Sequence, residues 1–336
     1  MNSPDSRWIA TGSEDRTIIV WDANGQLRQE WLVQSGRVHW LAFSPDGRYL
    51  ASACGHGEIK IWELTQEVNL VTTLKLRAPI FLNCAWSPEG TMLATSRNDG
   101  TLCFWDMETF QERYYYLEGL DGDDDLYNTS LIHFSPNGRW LATSHSQKHH
   151  ICHIWNVSSR TSHKTLRSFA GQLTAAAFNR TSTCIATASY FGIVQIWDVE
   201  TGESLFAMKQ HTRPVQDVSF SPDGRFVLSA SGDHTMKIWD ASSGAMISSL
   251  EGHSGAVLAA CFSPCGSYIA SASNDKTVQL WRTRGGARIR RFTEHDSRAT
   301  HVTFSPDGRT LSSADLKGTV IIRQMVDILP TAHSEL

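Results

Sequence analysis

The sequence has 336 residues, of which 41% are hydrophobic and 19% are charged, and its net charge is −4 at neutral pH. These values are typical of a globular chain and exclude fibrous and disordered classes, and the near-neutral balance gives no overall attraction to nucleic acid. No apolar run approaches the roughly 20 residues of a membrane-spanning helix, and the N-terminus MNSPDSRW lacks the basic and apolar regions of a signal peptide. We therefore expect no membrane insertion and a cytoplasmic or nuclear, not secreted, protein.

The seven cysteines are odd in number and fall mostly inside predicted strands, and no two form a CxxC pair. This pattern argues against a disulfide framework and against a zinc site. It indicates small buried hydrophobic residues in a reducing compartment. We expect no metal and no cofactor.

In chain order, the first predicted elements are a hairpin over residues 7–21 and a short strand near Leu27–Leu32. The hairpin ends on a tryptophan, and this position recurs at Trp21, Trp62, Trp105, Trp155, Trp197, Trp239 and Trp281. An eighth position falls on Arg323, where the tryptophan is lost. The intervals are 41, 43, 50, 42, 42, 42 and 42 residues.

A four-residue turn recurs in step with the tryptophans. Its proline sets φ, and its glycine completes the reversal. The copies are Ser44-Pro45-Asp46-Gly47, Ser87-Pro88-Glu89-Gly90, Ser135-Pro136-Asn137-Gly138, Ser221-Pro222-Asp223-Gly224, Ser263-Pro264-Cys265-Gly266 and Ser305-Pro306-Asp307-Gly308.

The clearest unit is residues 252–282, which predict three short strands joined by two turns, and a fourth strand lies between units, as at residues 245–250. Such a unit cannot bury both faces alone, so it must stack against its own copies. A period of about 40–45 residues with four short strands is typical of a propeller blade.

These motifs resemble the WD-repeat family over residues 3–325. The Trp-Asp pair that names the family stands at Trp21-Asp22, Trp105-Asp106, Trp197-Asp198 and Trp239-Asp240, and it is altered at Trp62-Glu63, Trp155-Asn156 and Trp281-Arg282. The resemblance implies an all-β propeller, a closed ring of blades that serves as a binding platform and is generally not an enzyme.

The sequence is compatible with two numbers of blades. We favour seven, in which the strand near Leu27–Leu32 completes the blade begun by residues 301–322. Residues 1–22 are then a surplus or partial first repeat, residues 23–325 the propeller and residues 326–336 a C-terminal tail. The alternative is eight blades, with the first lacking its inner strand, which would expose backbone groups near the axis.

Two polar constellations combine serine, histidine and aspartate. The resemblance places hydrogen-bonded tetrads at these positions, one of His211, Ser229, Asp233 and Trp239 and the other of His253, Ser271, Asp275 and Trp281. Catalysis would require an exposed hydroxyl and an oxyanion site. Because the set repeats from blade to blade, we interpret it as structural: it satisfies buried polar groups.

Departures from the repeat indicate where a partner binds, because binding residues lie on loops that a rigid scaffold positions. The 50-residue interval contains an acidic loop and a long turn, and an aromatic turn follows in the next repeat. The candidate partner-binding residues are Asp121, Asp123, Asp124 and Asp125, then His145, His149 and His150, then Tyr190 and Phe191. In the family the d–a and b–c connections share one face, so we expect this face to bind a partner that carries basic groups.

A second patch consists of arginines near a predicted outer strand: Arg282, Arg284, Arg288, Arg290 and Arg291. Such a patch most often discourages strand addition at an exposed edge. A lesser interpretation is contact with an acidic partner or RNA.

The sequence therefore predicts a non-enzymatic scaffold that binds one or more proteins or peptides, with no small-molecule substrate and with nucleic acid disfavoured. The alternative function is a regulatory or sensor portion of a larger protein in signalling or transcriptional repression, since the chain starts in the middle of a repeat.

Overall fold

The computed structural model describes residues 1–32, 36–54, 57–65, 68–75, 81–97, 102–114, 129–145, 151–159, 161–167 and 171–329. Their strands form eight sheets, each built from consecutive segments of the chain. We call these sheets blades 1 to 8. In the four-stranded blades the strands follow one another in space as in sequence.

The blades comprise the following strands. Blade 1 has β1 (Trp8–Gly12), β2 (Thr17–Asp22) and β3 (Leu27–Leu32). Blade 2 has β4–β7 (Val38–Phe43, Tyr49–Cys54, Glu58–Leu64, Val68–Lys75). Blade 3 has β8–β11 (Phe81–Trp86, Met92–Arg97, Leu102–Asp106, Glu112–Tyr114). Blade 4 has β12–β15 (Thr129–Phe134, Trp140–His145, Ile151–Asn156, Thr161–Arg167). Blade 5 has β16–β19 (Leu173–Phe178, Cys184–Ser189, Val194–Asp198, Ser204–Met208). Blade 6 has β20–β23 (Val215–Phe220, Phe226–Ser231, Thr235–Asp240, Met246–Glu251). Blade 7 has β24–β27 (Val257–Phe262, Tyr268–Ser273, Val278–Arg282, Arg288–Phe292). Blade 8 has β28 (Ala299–Phe304), β29 (Thr310–Asp315) and β30 (Val320–Gln324), and a 3-10 helix, Met325–Asp327, follows it.

The first strands of blades 2 to 8 surround a common channel of about 580 Å³. Its lining includes one residue from each of them at the equivalent position: Trp40, Asn83, Leu131, Ala175, Asp217, Ala259 and His301. The arrangement is a ring of blades around an axis, so the all-β propeller expected from the repeat is confirmed.

The prediction of seven blades is wrong, because β3 does not complete the last blade. β3 pairs with β2, with Trp31 opposite Ile18, and the three strands β1–β3 form a sheet of their own. A local hairpin closes a short loop, whereas pairing with β30 would close a loop of almost the whole chain at a higher entropic cost. The hairpin expected to be surplus is thus part of blade 1, and the structure has the alternative number, eight.

Residues 1–3 take the place of the inner strand of blade 1. Met1 and Ala10 exchange two hydrogen bonds, from the Met1 amine to the Ala10 carbonyl at 3.0 Å and from the Ala10 N–H to the Met1 carbonyl at 2.9 Å. The Ser3 N–H donates to the Trp8 carbonyl at 2.8 Å. These bonds satisfy backbone groups of β1 that an empty inner position would expose.

The turn after this short segment has the same geometry as the Ser-Pro-Asp-Gly turns. Ser3 Oγ donates to Asp5 Oδ1 at 2.6 Å and accepts the Trp8 N–H at 2.9 Å. In blade 2, Ser44 Oγ bonds Asp46 and Tyr49 in the same way. The hydroxyl joins both ends of the turn, which explains why serine recurs at its start.

Among the described residues, seven hydrophobic cores lie between neighbouring blades rather than within them. The core between blades 6 and 7, for example, packs Leu228, Met236 and Leu250 against Val257 and Ile269. Burial between blades is the main source of stability in such a stack, since a single sheet cannot cover both of its faces.

The junction between blades 8 and 1 differs from the other seven, because no hydrophobic core of the described residues joins these two blades. The bonds across this seam are polar. Asn2 Nδ2 donates to the Phe304 carbonyl at 2.9 Å, the Asp307 N–H to Ser6 Oγ at 3.1 Å, and Gln324 Nε2 to the Ala23 carbonyl at 3.2 Å.

Because the seam lacks a hydrophobic core, we expect the ring to open there first. Native-state hydrogen exchange followed by mass spectrometry should show faster exchange in β1 and β2 than in β21 and β22 of blade 6, since local opening exposes the less firmly packed blade. Equal protection of the two pairs of strands would contradict this expectation.

No helix in the described part of the chain is long and apolar enough to cross a membrane. None of the seven cysteines, which all lie among the described residues, forms a disulfide, and Cys54, Cys84, Cys103 and Cys152 are buried. Burial raises the pKa of the Cys84, Cys152 and Cys261 thiols to about 12.

Candidate binding surface

The strand order divides the ring into two faces. Successive strands of a blade run in opposite directions, so the turn between its first two strands and the turn between its last two lie at one end, which we call the turn face. The turn between the second and third strands, and the connection to the next blade, lie at the other end, which we call the loop face. The candidate residues predicted from the sequence belong to the loop face.

In blade 6 four side chains form a hydrogen-bonded chain. His211 Nδ1 lies 2.7 Å from Asp233 Oδ2, and His211 Nε2 lies 2.8 Å from Ser229 Oγ. Trp239 Nε1 donates to the same Ser229 oxygen at 2.9 Å. Since a carboxylate only accepts, Nδ1 carries a proton and donates it to Asp233. The chain ties the loop face to the third strand.

Blade 7 repeats this arrangement with His253, Ser271, Asp275 and Trp281 at 2.8–2.9 Å. Asp275 also accepts the backbone N–H groups of Ser254 and Thr277 and the Thr277 hydroxyl. Burial alone would raise the pKa of Asp275, but the hydrogen bonds from His253 and Thr277 outweigh it and hold the pKa well below its usual range. The carboxylate is therefore ionised at neutral pH.

Blade 8 has a tetrad that sequence reasoning missed. Its carboxylate is Asp315, two residues before the expected position, which Lys317 occupies; Asp315 Oδ2 lies 3.3 Å from His295 Nδ1. Arg323 replaces the tryptophan and donates from Nη1 to Ser313 Oγ at 2.9 Å. The guanidinium also pairs with Glu294 and lies 4.5 Å from the Phe292 ring centre. The serine–histidine pair at the usual spacing, His295 and Ser313, was the available signal.

One bond of the tetrad is present in every blade. A tryptophan Nε1, or Arg323 in blade 8, donates to a serine or threonine hydroxyl of the preceding strand in the same blade. The acceptors, in chain order, are Thr11, Ser52, Thr95, Thr143, Thr187, Ser229, Ser271 and Ser313.

The tetrad serines lie where no substrate can reach them. Ser229 and Ser271 are fully buried, and each hydroxyl already contacts a histidine and a tryptophan. Acyl transfer needs an accessible nucleophile. The geometry supports a structural role, since these bonds satisfy buried polar groups.

Tyr190 and Phe191 lie in the loop-face turn of blade 5, and both are exposed, at 55% and 68%. Their rings meet edge to face with centroids 5.9 Å apart. The Tyr190 N–H donates to the Gln172 carbonyl at 2.8 Å and so fixes the start of the turn. Gly192 packs closely at its end: its φ is +79°, and a Cβ there would lie 2.6 Å from the His211 carbonyl oxygen. A rigid backbone therefore presents two aromatic side chains to solvent.

Leu316 is an exposed apolar residue that sequence reasoning overlooked. It occupies the same turn position in blade 8 as Tyr190 in blade 5, since its N–H donates to the Arg298 carbonyl at 3.0 Å, and it is 67% exposed. It lies three blades along the ring from the aromatic pair, and its signal in the sequence was a leucine within a polar turn.

Most other predicted partner residues lie outside the described residues: Asp121, Asp123, Asp124, Asp125, His149 and His150. His145 is the last residue of β13. On the described loop face of blades 6 to 8 the exposed charged side chains include the basic residues Arg213, Lys276, Arg298 and Lys317. No group of three histidine, cysteine or acidic side chains that could hold a metal occurs within the described ranges.

Comparisons with known families and structures cover most of the chain. The family model described as "IFT122 first beta-propeller" matches residues 1–237, and the model "WD domain, G-beta repeat" matches residues 244–282 and 286–323. A solved structure, the computationally designed Ika8 protein, superposes with a TM-score of 0.81 over 95% of this chain and 93% of that one. At 24% identity, that likeness shows the fold alone.

Curated relatives match over shorter stretches. Protein LST8 homolog of Drosophila melanogaster is 34% identical over 117 residues, which are 32% of this chain and 37% of that protein. Nuclear distribution protein nudF of Aspergillus terreus is 35% identical over 100 residues, 30% of this chain and 22% of that protein. The matches thus span well under half the length of these relatives.

Proposed function

The chain belongs to the family described as the IFT122 first beta-propeller, within the WD-repeat β-propellers, and from this premise we propose that it is a non-enzymatic scaffold that binds a protein partner through its loop face. WD-repeat propellers generally mediate protein–protein interaction. The proposal adds to this general role a face and a set of residues.

The observation that carries the proposal is the exposed aromatic pair, Tyr190 and Phe191. Exposed aromatic side chains on a rigid turn are favoured interface anchors, because they bury a large area at a small cost in conformational entropy. The corresponding turns of blades 6 and 7 place Asp233 and Asp275 in tetrads, where both carboxylates contact histidine. In blade 5 the equivalent residue is Phe191, whose side chain has no polar group with which to join a tetrad.

We propose that the partner carries basic groups and lies over blades 3 to 5. The acidic residues Asp121, Asp123, Asp124 and Asp125, with His145, His149 and His150, belong to this part of the sequence. On the loop face of blades 6 to 8 the exposed basic side chains Arg213, Lys276, Arg298 and Lys317 outnumber the exposed Glu294 and Asp296, which makes that side less favourable for such a partner.

Replacing Tyr190 and Phe191 together with serine should weaken capture of the partner at least about tenfold, because interface aromatics commonly contribute 2 kcal/mol or more. The melting temperature should stay nearly unchanged, since both side chains are exposed. Affinity capture from the native source with wild-type and variant protein, quantified by mass spectrometry, measures the loss for each captured protein.

The matched control is Leu205→Ser, because Leu205 is an exposed apolar residue of the same blade on β19, away from the loop face. It should leave capture unchanged. Replacing the four aspartates of residues 121–125 with serine in the same assay should weaken capture of the same protein. Retained capture by the aromatic variant would place the partner elsewhere on the ring.

A second candidate function is a regulatory or sensor portion of a larger protein. The observation that favours it is the family model that matches residues 1–237, since its description as a first beta-propeller refers to a protein with more than one. The mass of the endogenous protein, with peptide mapping upstream of Met1, tests it: peptides before Met1 would support it, and a species at 37.4 kDa would favour the free-standing scaffold.

A further inference from the structure

A groove of about 620 Å³ lies on the turn face, across blades 5 to 7. Its walls are the turns at residues 221–226 and 264–268, with Arg180 from blade 5 and residues 282–284 from the end of β26. Its place at the turn ends of the strands separates it from the aromatic pair, which lies on the loop face.

The charged side chains that line the groove are four arginines and one aspartate: Arg180, Arg225, Arg282, Arg284 and Asp223. The hydrogen bond from the Ser221 hydroxyl, together with the nearby Arg225 charge, holds the pKa of Asp223 below its usual range. Arg180, Arg282 and Arg284 form no ion pair within the part of the chain that the structure describes. Positive charge therefore exceeds negative charge in the groove.

Substitutions at repeat positions that are acidic in other blades create this imbalance. The third turn residue is Asp5, Asp46, Asp223 or Asp307 in four blades, but in blade 7 it is Cys265. The residue after the strand-ending tryptophan is acidic in blades 1, 2, 3, 5 and 6, but in blade 7 it is Arg282. Blade 5 adds Arg180 where most turns have proline. Blade 7 thus loses two carboxylates and gains a cation on one face.

We propose that this groove binds an extended protein segment rich in aspartate or glutamate. Guanidinium groups bind carboxylates through paired, charge-assisted hydrogen bonds. Arg180, Arg282 and Arg284, which form no ion pair with a described residue, offer such bonds along the groove.

A protein segment fits the groove better than nucleic acid does. Single-stranded nucleic acid is bound by stacking its bases on exposed aromatic faces. The aromatic rings of this groove, Phe226 and Tyr268, are half-buried, and the Arg225 guanidinium lies 5.7 Å from the Phe226 ring centre.

The experiment measures binding of fluorescein-labelled hexaglutamate to the full chain by anisotropy. Wild-type protein should bind saturably, and binding should weaken as salt rises, because the contacts are between exposed charges. The variant R282S/R284S should bind about tenfold more weakly or worse. The control R291S/R298S removes the same charge from exposed arginines outside the groove and should stay within about twofold of wild type.

A second measurement needs no variant. Cys265 lines the groove and is exposed; burial would raise the pKa of its thiol, but hydrogen bonds from Ser263 and Ser267 outweigh this and lower it. Because the thiolate is the reactive form, iodoacetamide should modify Cys265 before the buried cysteines. Hexaglutamate should slow that modification.

Three results would overturn the proposal: no saturable binding of hexaglutamate, equal weakening in R291S/R298S, or tighter binding of hexauridylate than of hexaglutamate, which would assign the groove to nucleic acid. Tyr190→Ser with Phe191→Ser should leave hexaglutamate binding unchanged. The proposal for the groove and the proposal for the loop face are therefore tested independently.

Discussion

Replacing Trp239 with alanine is expected to destabilise the protein by about 3–5 kcal/mol, the range for truncating a large buried side chain to alanine. Trp239 is 1% exposed and packs in the core between blades 5 and 6, with Ile196 and Val218 among its neighbours. Its indole also donates to Ser229. The substitution removes both the packing and the last bond of the tetrad, and surrounding structure relaxes only partly into such a space.

Urea unfolding followed by circular dichroism measures this loss, with the midpoint and the slope compared to wild type. Trp40→Ala is the matched control, because Trp40 lines the central channel and is 37% exposed. Trp40→Ala should lower the free energy of unfolding by well under half as much as Trp239→Ala. A loss below about 1 kcal/mol for Trp239→Ala would be inconsistent with a tryptophan packed between two blades.

Replacing Asp275 with alanine should have the second-largest effect, about 3 kcal/mol, because it leaves buried donors without an acceptor. The Asp275 side chain is 4% exposed. Its two oxygens accept bonds from His253, from the Ser254 N–H and from both the N–H and the hydroxyl of Thr277. All of these donors would lose their partner together, and the loop-face turn of blade 7 would loosen.

The contribution of Asp275 should also depend on pH. Its folded-state pKa is held below the ordinary value of 3.8, so the ionised carboxylate stabilises the protein above that pH. The stabilisation is lost as the pH falls below 3.8 towards the folded-state pKa. Wild-type protein should therefore lose stability on acidification more steeply than Asp275→Ala.

The control for this variant is Asp240→Ala. Asp240 also accepts several hydrogen bonds, from Ser242 and Ser243, but these lie in an exposed turn. Water can replace an acceptor there, so the loss of stability should be much smaller. Equal losses for the two variants would mean that burial of the Asp275 network contributes nothing.

The tetrads illustrate how far sequence reasoning reaches into a repeat protein. In blades 6 and 7, the spacing from histidine to serine, aspartate and tryptophan matches the hydrogen-bonded chains of the structure. In blade 8 the carboxylate is Asp315 instead of the residue at position 317. The backbone of a turn can bring either position to the same histidine, and only the folded geometry distinguishes them.

The two candidate surfaces also differ in how much of each could be predicted from the sequence. Tyr190 and Phe191 were predicted as departures from the repeat, and the structure describes them as exposed. The arginine groove was not predicted, because Arg180, Arg225 and Arg282 are separated by more than 40 residues in the chain. The sequence indicated arginines of one blade, and stacking of the blades brought arginines of three blades to one groove.

The sequence by itself determined the all-β class, the ends of the repeats and the turn chemistry, because these depend on local spacing: an alternating strand, a serine that bonds both ends of its turn, and a tryptophan every 40 or so residues. The tertiary structure decided the number of blades, the closure of the ring and the composition of the groove. These depend on which segments meet in space. β3 pairs with β2 instead of β30 because a short hairpin closes at the lower entropic cost. The seam between blades 8 and 1 is closed by polar bonds between segments about 300 residues apart in the chain, which local spacing does not reveal.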